Sequence, residues 1–145
     1  SAEPMAAARE IWEWTRKTYG VHDLGVVITD SHTIPLRRGT LGISLAYCGF
    51  TPIRDYRGEK DIFGRKFVIQ VADIADGLAA AAVLAMGEGR ETTPLAVITD
   101  IPFVHFTDTP YAPEKPSSSF EIEEKEDLYY PLFSSVPWQQ GGGGE

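Results

Sequence analysis

Three features of the sequence predict an α/β fold with a mixed sheet and flanking helices. Two stretches, 4–19 and 73–86, have helical patterns bounded by start and stop signals. Short apolar runs at Val26–Ile28 and Leu95–Ile98 are typical of buried strands. Residues 40–48 alternate larger apolar with small side chains, as a strand packed on one face requires. At 145 residues the chain is long enough to bury a core as one domain.

End signals bound both predicted helices. In the first helix, Pro4 suits the opening turn and Gly20 suits the stop. In the second helix, Asp73 can cap the start and Gly87 is a natural residue just past the last turn. A block of alanines at 79–82 allows this helix to approach a sheet or another helix closely.

The sequence predicts four strands in all. The charged segment after the second strand is typical of a loop or an open hairpin. In chain order the strands cover residues 24–29, 40–48, 66–71 and 95–98, and the charged segment covers 53–65. The folded domain is expected over residues 1–110, followed over 111–145 by an extended or partly disordered tail. Within that tail, an acidic run is typical of a solvated face or linker. An aromatic run, 128–133, can dock onto the folded domain or onto a partner chain.

Charge and cysteine content narrow the classes of partner and compartment. The net charge is -8, which argues against broad binding to nucleic acid or to anionic membranes. The single cysteine, Cys48, excludes an internal disulfide and fits a reducing, cytoplasmic setting and a place in the core. No apolar run has membrane-spanning length.

Polar residues close the first predicted strand. Asp30 and Ser31 would lie at its carboxyl end, where ligands gather in open α/β sheets, and they offer the hard oxygen ligands that Mg²⁺ or Mn²⁺ prefers. His32 adjoins them and could donate to a phosphate or act as an acid or base. Arg37 and Arg38 follow, and guanidinium groups suit phosphate oxygens. The segment predicts a nucleotide or phosphoryl site; alternatively, Asp30 caps a turn and the arginines are solvated.

Glu88 is the second carboxylate that stands out. It follows the C-terminal end of the second predicted helix, where the helix dipole disfavours a negative charge. A bound cation or an arginine would compensate for this position, and so would open solvent. The sequence has no P-loop, dinucleotide-binding, hydrolase-elbow or zinc-ligand spacing, so those site classes lack their motifs.

Six motifs follow one another in a defined order: Val27-Ile-Thr-Asp-Ser31, Pro35-Leu-Arg-Arg-Gly39, Ile53-Arg-Asp-Tyr-Arg-Gly58, Asp61-Ile-Phe-Gly-Arg65, Ala75-Asp-Gly-Leu-Ala-Ala-Ala-Ala82 and Leu84-Ala-Met-Gly-Glu88. Their order and spacing resemble the C-terminal portion of the coenzyme F-420 gamma-glutamyl ligase family. The resemblance covers about residues 4–98, with a faint echo at 126–128.

The resemblance implies an amide ligase that depends on GTP and on a divalent metal, Mg or Mn. Such an enzyme adds L-glutamate to a deazaflavin precursor of the coenzyme by way of an acyl-phosphate. Members of the family have an α/β fold and form intertwined dimers with the site near the subunit interface. The expected partners are therefore small molecules (GTP, glutamate and the deazaflavin precursor) and a second copy of the chain, with no nucleic acid and no membrane.

The resemblance also implies roles for individual residues. Asp30, Ser31 and Glu88 would hold the metal, with Ser31 in place of the family's threonine. Asp30 and Arg38 would be catalytic. Contacts to phosphate or coenzyme would come from His32, Arg37, Arg38, Arg54 and Arg57.

Departures from the family pattern leave alternatives open. In the family, a preceding half supplies nucleotide contacts and a further aspartate ligand, so this chain is a fragment, is completed by a partner chain, or has an incomplete site. His32-Thr33-Ile34 replaces a shorter turn, Gly77 stands where the family prefers glutamate, and Thr99-Asp100 stands where it prefers Arg-Gly. The alternatives are a non-catalytic binding or dimerisation domain that lacks the nucleotide-binding half, or a ligase for another glutamyl acceptor.

Overall fold

The computed structural model describes residues 3–110 and 122–139, and within them the chain is a mixture of helices and small antiparallel sheets. Its central element is an antiparallel hairpin of two long strands, β1 (Val26–Thr33) and β2 (Thr40–Cys48), joined by the turn 34–39. The α/β class predicted from the sequence is confirmed, and β2 has the predicted bounds.

The predicted end of the first strand, at residue 29, is wrong. Pairing with β2 continues to Thr33, because the antiparallel partner extends that far and satisfies the backbone groups of the polar residues. Asp30, Ser31 and His32 therefore lie within β1, opposite residues of β2, and not beyond the carboxyl end of a strand.

A second small sheet pairs β3 (Ile53–Asp55) with β4 (Val71–Asp73). Between them the chain runs out and back as an open hairpin, held by backbone hydrogen bonds such as Tyr56 N to Gln70 O at 3.0 Å and Gly58 N to Phe67 O at 2.9 Å. The open-hairpin interpretation of the charged segment is thus confirmed, and β3 forms its first leg.

Two predicted strands are wrong. Of the residues in 66–71 only Val71 belongs to a strand, and Lys66 makes no more than an isolated bridge. Residues 95–98 are apolar but form no strand in the described part of the chain, and Leu95 is 80% exposed. The described strands form two separate antiparallel pairs and not one mixed sheet.

The two long helices, α1 (Pro4–Tyr19) and α2 (Ile74–Met86), confirm the predicted ones. Gly20 ends α1 with a left-handed φ of 66°. At the start of α2, Asp73 Oδ1 accepts a hydrogen bond from Asp76 N at 2.9 Å, which is a side-chain N-cap. Burial raises the pKa of the Asp73 carboxyl, because loss of hydration disfavours its charged form.

The tail contains a 3-10 turn, Glu124–Glu126, and a short helix, α3 (Tyr130–Ser134), within its described residues. The predicted flexible loop over 111–119 and the glycine run over 141–144 lie outside the described residues. No helix in the described ranges combines the length and apolar character needed to cross a membrane.

The core lies on both faces of the long hairpin. On one face, Ala8 and Trp12 of α1 pack against Ala46 and Cys48 of β2. On the other face, Tyr47 packs with residues that include Ala75 of α2. Successive strand residues point to opposite faces, which is why neighbours in β2 contact different helices. Burial raises the pKa of the Cys48 thiol to about 11, so Cys48 is the predicted core residue and stays protonated.

A β-bulge at Leu45 connects the hairpin to α2. Ile28 pairs with Ala46 while Thr29 pairs with Ser44, so Leu45 is the extra residue. The Ser44 backbone N–H donates to Asp76 Oδ1 at 2.7 Å. The extra residue shifts the alternation of β2 by one. As a result, Ser44, Gly42 and Thr40 lie on the side of the strand that faces α2.

Gly42 is the point of closest approach between β2 and α2. A Cβ atom added to Gly42 would lie 2.5 Å from Val83 Cγ2 and 2.6 Å from the backbone oxygen of Ala79. The second of these is helix backbone, which cannot rotate away. Glycine at this position therefore allows α2 to lie directly on the hairpin. The C-terminal end of α2 then lies beside the neighbours of Gly42 in the sheet.

Replacing Gly42 with alanine is expected to lower the free energy of unfolding by about 1–3 kcal/mol, because the added methyl overpacks the contact with α2. The matched control is Gly77→Ala, since a Cβ at Gly77 contacts nothing outside its own helix and alanine gains about 1 kcal/mol over glycine in a helix. Urea unfolding of both variants measures the difference. Equal stability of the two variants would contradict the close contact.

Candidate metal site

Three oxygen-bearing side chains meet at the end of the hairpin beside α2. The hydroxyl of Ser31 lies 2.8 Å from Glu88 Oε1 and 2.7 Å from Oε2, and Thr40 Oγ1 lies 3.1 Å from Glu88 Oε1. Ser31 and Glu88 are 57 residues apart in the chain, so tertiary structure alone brings them together. All three residues are exposed, which leaves the cluster accessible to a ligand.

The strand register explains how Ser31 and Thr40 reach the same carboxylate. Ser31 pairs with Gly42, and Thr33 pairs with Thr40, so both hydroxyls lie on the face of the hairpin that α2 covers. Gly87, with φ of 82°, ends α2 and turns the chain so that Glu88 follows the helix immediately. The helix dipole is unfavourable for a carboxylate here, and the two hydroxyl donors compensate for it.

Asp30 is adjacent to this cluster but is not joined to it. Alternation along β1 places its side chain on the opposite face from that of Ser31. Within the described residues, the one hydrogen bond of the Asp30 carboxylate is local, because Oδ1 accepts from Ser31 N at 2.7 Å. In the described ranges, no three side chains among His, Cys, Asp and Glu form a group that could hold a metal ion. The structure thus brings together Ser31 and Glu88, two of the three predicted ligands.

The Ser31, Thr40 and Glu88 oxygens fit a hard divalent cation in type, because carboxylate and hydroxyl oxygens are the donors that Mg²⁺ and Mn²⁺ accept. Each hydroxyl has one proton and two lone pairs, so donation to Glu88 leaves lone pairs available. Mg²⁺ typically takes one or two protein carboxylates and fills its remaining positions with water and substrate phosphates. One carboxylate with two hydroxyls is compatible with such a partly hydrated site.

Two basic residues lie in the turn 34–39, which joins the strands that carry Ser31 and Thr40. Arg37 and Arg38 are exposed, and neither guanidinium makes an ion pair or a hydrogen bond with any described residue. Leu36 and Gly39 flank them with positive φ values of 61° and 98°, which give the turn its shape. His32 is exposed on the Asp30 face of β1. The two arginines are therefore available to an anion that approaches the end of the hairpin.

Arg57 of the open hairpin already has a partner. Its Nε and Nη2 atoms donate to Asp55 at 2.9 Å and 2.6 Å, a two-bond pair that lowers the pKa of Asp55 to about 2. The pair is local, since the two residues are two positions apart, whereas the family resemblance implies a phosphate contact for Arg57.

Arg54 is also engaged, in this case by aromatic rings. Its guanidinium carbon lies 4.4 Å from the centre of the Tyr56 ring and 4.9 Å from that of Phe103, and Nη2 lies 3.8 Å from a Glu59 oxygen. The predicted phosphate contacts of Arg54 and Arg57 stay predictions, and each would require a change in these contacts.

Sequence reasoning did not identify Thr40, Gly42 or the Asp76 contact as parts of the site and its support. The sequence predicts Thr40 only as the first residue of a strand, and a threonine at a strand end is ordinary. The register that pairs it with Thr33 was the missing information, because it alone places the hydroxyl on the Ser31 side of the hairpin.

The chain is similar to the proteins of a known family. Residues 2–100 match the model of the family described as F420-0:Gamma-glutamyl ligase. Similar curated proteins are named Coenzyme F420:L-glutamate ligase. The protein from Methanopyrus kandleri is 38% identical over 95 residues, which are 66% of this chain and 37% of that protein.

Two further relatives have the same name. The protein from Methanothermobacter thermautotrophicus is 35% identical over 103 residues, which are 71% of this chain and 40% of the relative. The protein from Haloarcula marismortui is 41% identical over 101 residues, which are 70% of this chain and 39% of the relative. The chain thus spans about two fifths of the length of these curated relatives.

The Asp55–Arg57 pair is expected to govern the titration of Asp55. The pKa of about 2 lies below the ordinary value of 3.8, so the stabilisation is present above pH 4 and is lost as the pH falls through about 2. Replacing Arg57 with glutamine should return the pKa of Asp55 toward 3.8, measured by carbon-13 NMR of the carboxyl group. Arg37→Gln, which changes an arginine without a carboxylate partner in the described residues, is the control. An unchanged Asp55 titration in Arg57→Gln would show that Arg57 is not held by this pair.

Proposed function

Because this chain belongs to the F420-0:Gamma-glutamyl ligase family, we propose that it forms part of an amide ligase that adds L-glutamate to a deazaflavin precursor of coenzyme F-420. The proposed enzyme uses GTP and a divalent cation, Mg²⁺ or Mn²⁺, and acts in the cytoplasm, where a free buried thiol such as Cys48 persists. The contacts of Glu88 with the Ser31 and Thr40 hydroxyls carry the proposal.

The proposed reaction has two steps. A carboxylate oxygen of the acceptor attacks the γ-phosphorus of GTP, and GDP leaves, which produces an acyl-phosphate. The amine of L-glutamate then attacks the acyl carbon, phosphate leaves with the bonding electrons, and the nitrogen loses a proton to solvent. A bound divalent cation supplies charge neutralisation at the phosphates.

The residues of this chain have distinct parts in that scheme. Ser31 and Glu88 hold the cation, and the Glu88 carboxylate is already ordered by its hydroxyl donors. Arg37 and Arg38 orient phosphate oxygens from the neighbouring turn, where their guanidinium groups are exposed. Asp30 contributes its carboxylate from the opposite face of β1, one residue from Ser31. Positioning and charge neutralisation account for most catalysis in phosphoryl transfer, and these groups supply both.

The exposed face of α2 favours a second candidate function, an assembly domain that binds another copy of the chain. Gly77, Ala81, Leu84 and Ala85 are exposed along one side of the helix, and Leu84 is 87% exposed. A helix that is apolar on all sides is normally buried on all sides. The two candidates are compatible, since a dimer could complete the ligase site.

Glu88→Gln is expected to weaken Mn²⁺ binding in the presence of GTP by roughly 10–100-fold, because it removes the charge of the proposed ligand. Asp30→Ala should also weaken it, and Glu10→Gln, an exposed change in α1, is the matched control. Calorimetric titration of GTP with MnCl₂ measures all three variants. If no heat develops, or if both site variants bind as the wild type does, the assembly function remains as the better account.

Leu84→Glu is expected to weaken self-association by roughly 10–100-fold. Burial of a leucine at an interface contributes about 1.5–3 kcal/mol to association, and a buried carboxylate does not make this contribution. The control is Leu36→Glu, which places the same charge in the exposed turn of the hairpin. Sedimentation equilibrium measures both. A wild-type chain that stays monomeric at high concentration would exclude the dimer, and a Leu84→Glu dimer of wild-type affinity would place its interface elsewhere.

A further inference from the structure

We propose that Thr40 is a positioning residue that, together with Ser31, holds the Glu88 carboxylate in the orientation needed to bind the divalent cation. The inference rests on the proposed function, because it concerns the same cation site. It goes further in assigning a role to a residue outside the motifs that identify the family.

The two hydroxyls can each donate to a different Glu88 oxygen. The Ser31 hydroxyl is nearly equidistant from the two Glu88 oxygens, at 2.8 Å and 2.7 Å, and a single proton can serve only one of them at a time. Thr40 Oγ1 approaches Oε1 at 3.1 Å. When Thr40 donates to Oε1, the Ser31 proton is directed to Oε2, and each carboxylate oxygen then has its own donor. Thr40 thereby removes the ambiguity that Ser31 alone would leave.

Without these two donors, the Glu88 side chain would be mobile. Glycines flank it on both sides, at Gly87 and Gly89, and its side chain is exposed. Fixing a long exposed side chain in one rotamer opposes its conformational entropy. The two hydroxyls lie on paired strands, and β-branched threonine has a restricted χ1 angle. A donor at Thr40 is therefore already ordered before the cation binds.

The Ser31 oxygen remains available to the cation. The Ser31 hydroxyl keeps two lone pairs while it donates its proton to Glu88. Thr40 accordingly orders the carboxylate so that Glu88 and Ser31 can contact one ion together. Partners of this kind commonly affect metal affinity by about 10–100-fold.

The chain offers a matched control. Thr33 pairs directly with Thr40 in the register of the hairpin, is also exposed, and makes no side-chain hydrogen bond with another described residue. Valine at either position keeps the β-branched shape and removes the hydroxyl. Serine at position 40 keeps the hydroxyl and removes the methyl group, so it tests whether the oxygen is what matters.

The contact itself is tested without metal. Urea unfolding midpoints of the wild type, Thr40→Val, Glu88→Ala and the double variant form a double-mutant cycle. We expect Thr40→Val to lower the midpoint in the wild-type background and to have no further effect when Glu88 is alanine. Additive effects would show that the two side chains do not interact, which overturns the inference.

The role in positioning is tested by Mn²⁺ affinity, measured by electron paramagnetic resonance on the full chain. We expect Thr40→Val to weaken Mn²⁺ binding about tenfold, Thr40→Ser to restore it and Thr33→Val to leave it unchanged. If Glu88→Ala abolishes binding but Thr40→Val binds as the wild type does, the inference fails and the proposed site stands. If the wild-type chain binds no Mn²⁺ that depends on Glu88, the proposed site fails and the inference falls with it.

Discussion

The close contact between Gly42 of β2 and α2 determines where the functional side chains lie. Because no side chain separates the strand from the helix at Gly42, α2 lies close to the hairpin. Glu88, just after α2, is then within hydrogen-bond distance of Ser31. The bulge at Leu45 is needed for this contact, because it turns Gly42 toward α2 while Ala46 and Cys48 continue to face α1. A local irregularity in one strand thus allows one hairpin to support both a core and a site.

The charged residues of the chain fall into two groups with different consequences. In the open hairpin, Arg57 and Arg65 are paired with nearby aspartates, and the pKa values of both Asp55 and Asp61 are lowered. Such exposed pairs contribute little to stability, but they order the segment. In the turn 34–39 the guanidinium groups have no carboxylate partner within the described residues, so an anion that binds there displaces only water. The second group is therefore better suited to contact phosphate.

Local signals predicted the elements that depend on local interactions. Pro4, Gly20, Asp73 and Gly87 mark the ends of α1 and α2 correctly, because caps and stops act within one turn of the chain. The prediction of a strand over 95–98 was wrong, because an apolar run becomes a strand only when a partner strand supplies hydrogen bonds. None of the described strands pairs with this run.

The site could be predicted only in part for the same reason. The resemblance to a family indicated Ser31 and Glu88, and the structure brings these two together. Thr40 and the orientation of Asp30 depend on register, which no short motif records. A crystal structure of the chain soaked in MnCl₂, with anomalous difference density used to locate the metal, tests most directly whether Ser31 and Glu88 bind one cation. We expect a peak within coordination distance of both Ser31 Oγ and the Glu88 carboxylate; a peak that contacts neither would show that the cation is held elsewhere.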